Sequence, residues 1–186
     1  MKKFIKCIKY GYSFSVSLIK LLTIKIFCRV NINFKLKNII CKNVSLRTKN
    51  KGKIVFGDMI TLRPNVEISS TDGKIILEKN IFVNRNTMIV AHESVTVGEG
   101  TTIGPNVVIY DHDHVFGKRK LESNNSFSTA PVVIGKNVWI GAGAIILKGV
   151  EIGDNAIVGA GTIVTKNIND NSIIIQPRSE ICKIIE

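Results

Sequence analysis

The sequence predicts an all-β solenoid of about five coils, each with three short flat faces, and a long loop leaving after the third coil. Two observations predict it. An aliphatic or aromatic residue returns every six positions: Phe56, Leu62, Ile68; Leu77, Val83, Ile89; Val97, Ile103, Ile109; Ile134, Ile140, Ile146; and Ile152, Val158, Val164. The register slips only after Ile68, Ile89 and Ile109, each the third member of its set, so every insertion leaves from one corner of a stacked coil. The second observation is the turn chemistry. Twelve of the fifteen repeats run on without insertion, and in eleven of them the third residue after the aliphatic is Asn or Gly: Asn65, Asn80, Asn86, Gly100, Asn106, Asn137, Gly143, Gly149, Asn155, Gly161 and Asn167, with Met59 the exception. A corner every six residues needs a residue that tolerates positive φ, which Gly does freely and Asn better than most. The recurring aliphatics then point inward and stack at the strand spacing of about 4.8 Å.

In chain order, residues 1–53 form a basic amphipathic arm or cap, residues 54–168 the solenoid with its loop at 110–131, and residues 169–186 a tail. Residues 1–57 hold fourteen Lys and Arg and no Asp or Glu, whereas the remainder holds twelve basic and fourteen acidic residues. Among the lysines of the arm stand Phe4, Ile5, Ile8, Phe14, Leu18, Ile19, Leu21, Leu22, Ile26 and Phe27. Two readings fit this segment. It contacts a membrane surface, apolar residues entering the headgroup boundary and lysines meeting anionic lipid, or it is a helix capping the open end of the solenoid. Capping accounts for the apolar residues but not for the absence of acids. Arg is scarce and no recognition motif appears, which argues against nucleic acid.

The apolar run 18–30 is broken by Lys20, Lys25 and Arg29, so no stretch reads as a membrane span, and no small-residue cleavage site closes it as a signal peptide would require. The four cysteines (Cys7, Cys28, Cys41, Cys182) have neither metal spacing nor a disulfide framework and read as reduced thiols of a cytoplasmic protein.

After Ile109 the register returns only at Ile134, twenty-five residues on, through Tyr110, Asp111, His112, Asp113 and His114. This is the longest insertion and it carries two of the three histidines of the chain. Long loops on a rigid scaffold are where binding and catalysis concentrate.

The segments VTVGEGTTIGPNVVIY and VVIGKNVWIGAGAIILKGVEIGDNAIVGAGTIVTKNI, with the DHDH loop between them, resemble the hexapeptide-repeat acyltransferases. Within that family they are most similar to the maltose/galactoside, xenobiotic and colanic-acid or capsular-polysaccharide O-acetyltransferases. The resemblance implies a left-handed parallel β-helix, a homotrimer, and acetyl-CoA as acyl donor without a metal. Counted from the shared IGPNV, the family's catalytic histidine falls on His114, with His112 in reserve. Imidazole is suited to deprotonating an acceptor hydroxyl as it attacks a thioester near neutral pH. Asp111 or Asp113 is a candidate to orient it, although acids in a polar loop are more often solvated. A backbone N–H near Gly141–Ala142 is the candidate oxyanion donor.

For the acceptor, Asn84 matches the family asparagine that holds the hydroxyl. His92 stands at the corner place that His112 occupies one coil later, where the maltose/galactoside enzymes have an Asp; histidine also tolerates such a corner as Asn does. Tyr110 and the outward Trp139 complete the expected acceptor side. The resemblance puts acetyl-CoA contacts on Gly141, Ala142, Ala160, Thr165 and Lys166, and a Gly-Ala-Gly triplet is equally plain repeat architecture. The tail departs from the family's Gly-x-Pro-Ala-Lys/Arg ending: Gln176, Pro177, Arg178, Ser179, Glu180 stand there, leaving Arg178 or Lys183 to meet a nucleotide phosphate.

The reading that follows is an acetyl-CoA-dependent O-acetyltransferase acting on a saccharide hydroxyl in capsule, lipopolysaccharide or exopolysaccharide assembly. A xenobiotic acetyltransferase is the runner-up. A γ-carbonic anhydrase, with histidines on a metal, is the remote alternative, since His92, His112 and His114 are not spaced as in that family.

Overall fold

The computed structural model describes residues 2–115 and 127–177, with side chains from residue 11 onward, Tyr12 excepted. Each hexapeptide folds into a short strand. Strands from successive coils stack in parallel into three sheets of six, seven and six strands, the walls of a triangular prism. All fifteen predicted positions are buried at 2 % exposure or less. A second inward ring, two residues before each of them, is buried as well, with Ile60, Val66, Ile75, Ile81, Val95, Val107, Val138 and Val150 among its members. The rungs are those of a left-handed β-helix.

The corners adopt the backbone that the turn chemistry predicts. Asn65, Asn80, Asn86, Asn106, Asn137 and Asn155 have φ between 55° and 61°, and Gly100, Gly143, Gly149 and Gly161 between 66° and 76°. Met59 also stands at φ 61°, a left-handed corner without the residue type that favours it. The stacked amides form ladders: the Asn65 side chain donates to Asn86 Oδ1 at 3.0 Å, and Asn86 to Asn106 Oδ1 at 3.1 Å. Asn167 departs from the expectation. It is not a positive-φ corner; its Oδ1 instead accepts from the Glu151 N–H at 2.9 Å, and Asn171, at φ 55°, turns the chain after the Ile152–Ile168 bridge.

The solenoid has more coils than five. Strands Ile32–Phe34, Ile39–Ile40 and Ser45–Lys49 make a complete coil ahead of Phe56, pairing Ile32 with Ile54, Ile40 with Leu62 and Leu46 with Ile68. Six coils are therefore complete, and strand Ile173–Ile174, paired on Ile157–Val158, begins another. At this far end the side chain of Gln176 imitates a strand, its Oε1 accepting from the Ile163 N–H at 2.9 Å and its Nε2 donating to Ile163 O at 3.3 Å. An open sheet edge is thereby partly closed.

The first coil is capped by the helix Lys2–Phe27. Leu21 enters the core, Ser17 Oγ accepts from the Ile40 N–H at 2.8 Å, and Lys20 Nζ donates to Ile40 O and Cys41 O at 3.3 and 3.1 Å. Side chains of the helix thus meet the backbone groups of Ile40 and Cys41 at the opening edge. No helix among the described residues is long and apolar enough to cross a membrane.

Candidate active site

The longest insertion leaves the third sheet after strand Val108–Tyr110 and begins as a hairpin. Strand His112–His114 pairs antiparallel with Phe127–Thr129, setting His112 opposite Thr129, Asp113 opposite Ser128 and His114 opposite Phe127. The residues between, 116–126, lie outside the described part of the chain.

The base of the hairpin is anchored by Asp111, which is completely buried. Its carboxylate accepts from the His92 N–H at 2.8 and 3.1 Å, from the Glu93 N–H at 2.7 Å, and meets His112 Nδ1 at 3.0 Å. One side chain therefore ties the corner of the preceding coil to the hairpin and fixes the His112 ring. The solvated-acid expectation fails for Asp111. Asp113 is exposed and pairs with Lys148 Nζ at 3.1 Å, and the same ammonium donates to Ser128 Oγ at 2.8 Å. Lys148 comes from the next coil, so it pins both hairpin strands to the prism.

The imidazoles gather around Phe127. The His92 and His112 ring centroids are 4.0 Å apart, as expected for equivalent corners of successive coils. Phe127 lies 4.1 Å from His92, 5.1 Å from His112 and 4.8 Å from His114. Tyr110 meets the His112 ring edge-on at 5.6 Å and donates its hydroxyl to Met88 Sδ. Burial holds the His92 imidazole below its usual value of 6.5, helped by neighbouring His112 and opposed by Asp111. His114 is exposed, and its ring nitrogens bond to nothing among the described residues. It borders a cavity of about 590 Å³ lined by Tyr110, His112, Asp113, His114, Ser128 and Lys148. Among the described residues no group of three or more His, Cys, Asp and Glu is disposed to hold a metal ion.

The other predicted positions occupy different places. Thr165 and Lys166 follow strand Ile163–Val164 on the same corner as the histidines, one coil beyond Lys148. Asn84, Gly141, Ala142 and Ala160 stand at the corner before the third sheet, and the exposed Trp139 projects from strand Trp139–Ile140 of the second. From Asn84 to His92 the chain crosses one whole face, so within one chain these two groups do not meet. Lys183 and Arg178 lie outside the described residues.

Gly141 is required by packing. A Cβ there would stand 2.6 Å from the backbone N of Ala160. Its own N–H is committed to Val158 O at 2.7 Å, so Gly141 itself supplies no oxyanion donor. Ala142 is exposed at this corner, and its N–H has no backbone acceptor among the described residues.

Lys148, Ser128 and Phe127 escape a reading of the sequence. The one available signal for Lys148 is its place, two residues after a third-sheet aliphatic, level with Asp111 one coil earlier.

Comparison with known proteins gives the same architecture. Residues 131–166 match the profile described as a hexapeptide repeat of succinyl-transferase. WbbJ of Escherichia coli strain K12, named for lipopolysaccharide biosynthesis O-acetyl transfer, is 30 % identical over 144 residues, 73 % of this chain and 74 % of that one. Nodulation protein L of Rhizobium leguminosarum bv. viciae is 44 % identical over 70 residues, 38 % of this chain and 36 % of that one, so the chain spans about a third of that relative's length. A galactoside acetyltransferase solved in complex with coenzyme A superposes with TM-score 0.55 at 34 % identity, covering 66 % of this chain and 59 % of the other.

Proposed function

The chain belongs to the hexapeptide-repeat acyltransferases, and on that premise we propose that it transfers the acetyl group of acetyl-CoA to a hydroxyl of a saccharide. The observation that carries the reading is His114. Its ring stands on a pinned hairpin at the edge of a 590 Å³ cavity, with its nitrogens uncommitted among the described residues. Its neighbour His112 is already held by Asp111. A base that must meet an incoming hydroxyl needs this kind of free nitrogen on a rigid support.

In the proposed step His114 takes the proton of the acceptor hydroxyl as its oxygen attacks the thioester carbonyl. The tetrahedral oxyanion is met by a backbone N–H, for which we assign that of Ala142, without a backbone acceptor among the described residues. Collapse breaks the C–S bond, the acetyl ester stays on the saccharide, and the CoA thiolate leaves with the proton returned by the imidazolium. No covalent enzyme intermediate is required.

The small side chains of Gly141, Ala142 and Ala160 leave the backbone open to a pantetheine arm, and the exposed Lys166 can pair with a CoA phosphate. Asn84, His92, Tyr110 and Trp139 are assigned to the acceptor side. Because Asn84 and Ala142 stand a full face away from the histidines of their own chain, we infer a homotrimer in which the hairpin of one copy meets the corner of the next. The relative named for lipopolysaccharide biosynthesis favours a surface-polysaccharide acceptor, and the one named for galactosides a saccharide acceptor, modified on the cytoplasmic side where acetyl-CoA is available.

The test is thiol release from acetyl-CoA in the presence of saccharide acceptors. The expected result is acceptor-dependent release by the wild-type protein and a loss of about 10²–10⁴-fold in His114→Ala. Release that needs no acceptor, or that survives the substitution, would refute the assignment.

A further inference from the structure

The cap at the start of the solenoid uses one side of its helix and leaves the other apolar. Ser17, Leu21 and Ile24 turn toward the first coil, where Ser17 and Lys20 bond to Ile40 and Cys41 and Leu21 enters the core. Ile19, Leu22 and Ile26 follow the i, i+3, i+7 spacing of a single helical stripe, centred on the opposite side. They are 64 %, 42 % and 64 % exposed, and Phe27 beyond them is 80 % exposed. Capping accounts for the inner stripe. It gives no reason for a second apolar stripe facing water, and a helix whose only task is to cap would carry polar residues there.

The charge around this stripe is of one sign. Lys25, Arg29, Lys35 and Lys37 are exposed beside it, Leu36 is 67 % exposed between the last two, and no acid occurs before Asp58. Apolar side chains ringed by cations, with no anion to compensate them, complement a surface that is apolar beneath and negative above. We propose that the outer face of this helix, with the Leu36 turn, docks the protein on an anionic lipid bilayer. The helix lies in the headgroup plane, Ile19, Leu22, Ile26 and Phe27 enter the acyl boundary, and the lysines meet lipid phosphates. The hairpin bearing His114 leaves the fourth coil from the capped end, about 15 Å along the axis at a rise of ~4.8 Å per coil. Docking by this end therefore leaves the cavity clear of the bilayer and within reach of a saccharide carried on a lipid.

The test is cosedimentation of the full chain with vesicles, which reads binding and not turnover, so its outcome is separable from that of acetyl transfer. Vesicles of phosphatidylcholine with about 30 % phosphatidylglycerol should pellet the protein, and pure phosphatidylcholine should do so at least about tenfold more weakly. Raising the salt from about 0.05 to 0.5 M should weaken binding by about tenfold or more. The double variant Ile26→Ser/Phe27→Ser, which alters only exposed side chains, should lose binding by about tenfold with an unchanged melting temperature, and Lys35→Gln/Lys37→Gln should reduce the preference for the anionic lipid. Absence of the protein from the anionic pellet would overturn the proposal. So would undiminished binding by Ile26→Ser/Phe27→Ser, retention on nucleic acid in place of vesicles, or a fall in oligomer mass in that variant, which would make the stripe a contact between copies.

Discussion

Replacing Asp111 by alanine tests how the candidate site is held together. The buried carboxylate accepts from the N–H groups of His92 and Glu93 and from His112 Nδ1, at 2.7 to 3.1 Å. Alanine leaves both backbone donors without their acceptor. A donor stranded in this way costs about 1–3 kcal/mol, and water reaching the half-buried turn recovers part of that. The expected destabilisation is about 2–4 kcal/mol, or roughly 5–15 °C in melting temperature for a domain of this size. Asp111→Asn should fall between, because one amide cannot present two acceptor oxygens: either position of its NH₂ group faces a backbone N–H. Thermal and urea unfolding monitored by circular dichroism measure both variants. A loss below about 0.5 kcal/mol in Asp111→Ala, the range of a surface substitution, would refute the view that this side chain joins the coil to the hairpin.

Three further outcomes are expected. Gly141→Ala should destabilise by about 2–4 kcal/mol, because its Cβ meets backbone atoms at 2.6 and 2.8 Å; Gly143→Ala, at φ +68° with open space around it, should cost only about 1 kcal/mol, and urea unfolding separates the two. Met59→Asn should stabilise the protein by about 0.5–1 kcal/mol, since it puts a tolerant residue at φ 61°; no gain in melting temperature would contradict the corner argument. His92 has an imidazole held below 6.5 in the folded state, so the unfolded chain binds its proton first. Its contribution is whole above pH 6.5 and is lost as pH falls through the depressed value, so the stability lost on acidification should shrink in His92→Asn when unfolding is followed from pH 7.5 to 5.

Most of the fold was legible because the repeat is the fold: a spacing of six, with Asn or Gly at the corners, fixes both the inward rows and the turns. The missed first coil shows where that legibility stops. Phe34, Ile40 and Leu46 keep the same spacing, and Asn43 stands at a left-handed corner with φ 55°. The corner after Phe34, however, carries Lys37, and its work is done by the buried Asn38, which donates to Lys35 O and accepts from the Ile60 N–H. A basic, lysine-rich composition hid a coil whose first corner has unusual chemistry. In the site, His92 and His112 were legible as stacked corners because the register sets them one coil apart. The pairing of Asp113 with Lys148 joins residues 35 positions apart across an insertion without periodicity, and the burial of Asp111 depends on the fold of the preceding turn, so neither has a local signature.

Acetyl transfer through His114 is read by mass spectrometry of a saccharide acceptor after incubation with acetyl-CoA and either the wild-type protein or His114→Ala. The acceptor should carry a single acetyl group, released by mild alkali as an ester is, with transfer reduced by about 10²–10⁴-fold in the variant. An acetylated acceptor formed by His114→Ala at a rate within about tenfold of wild type would contradict it.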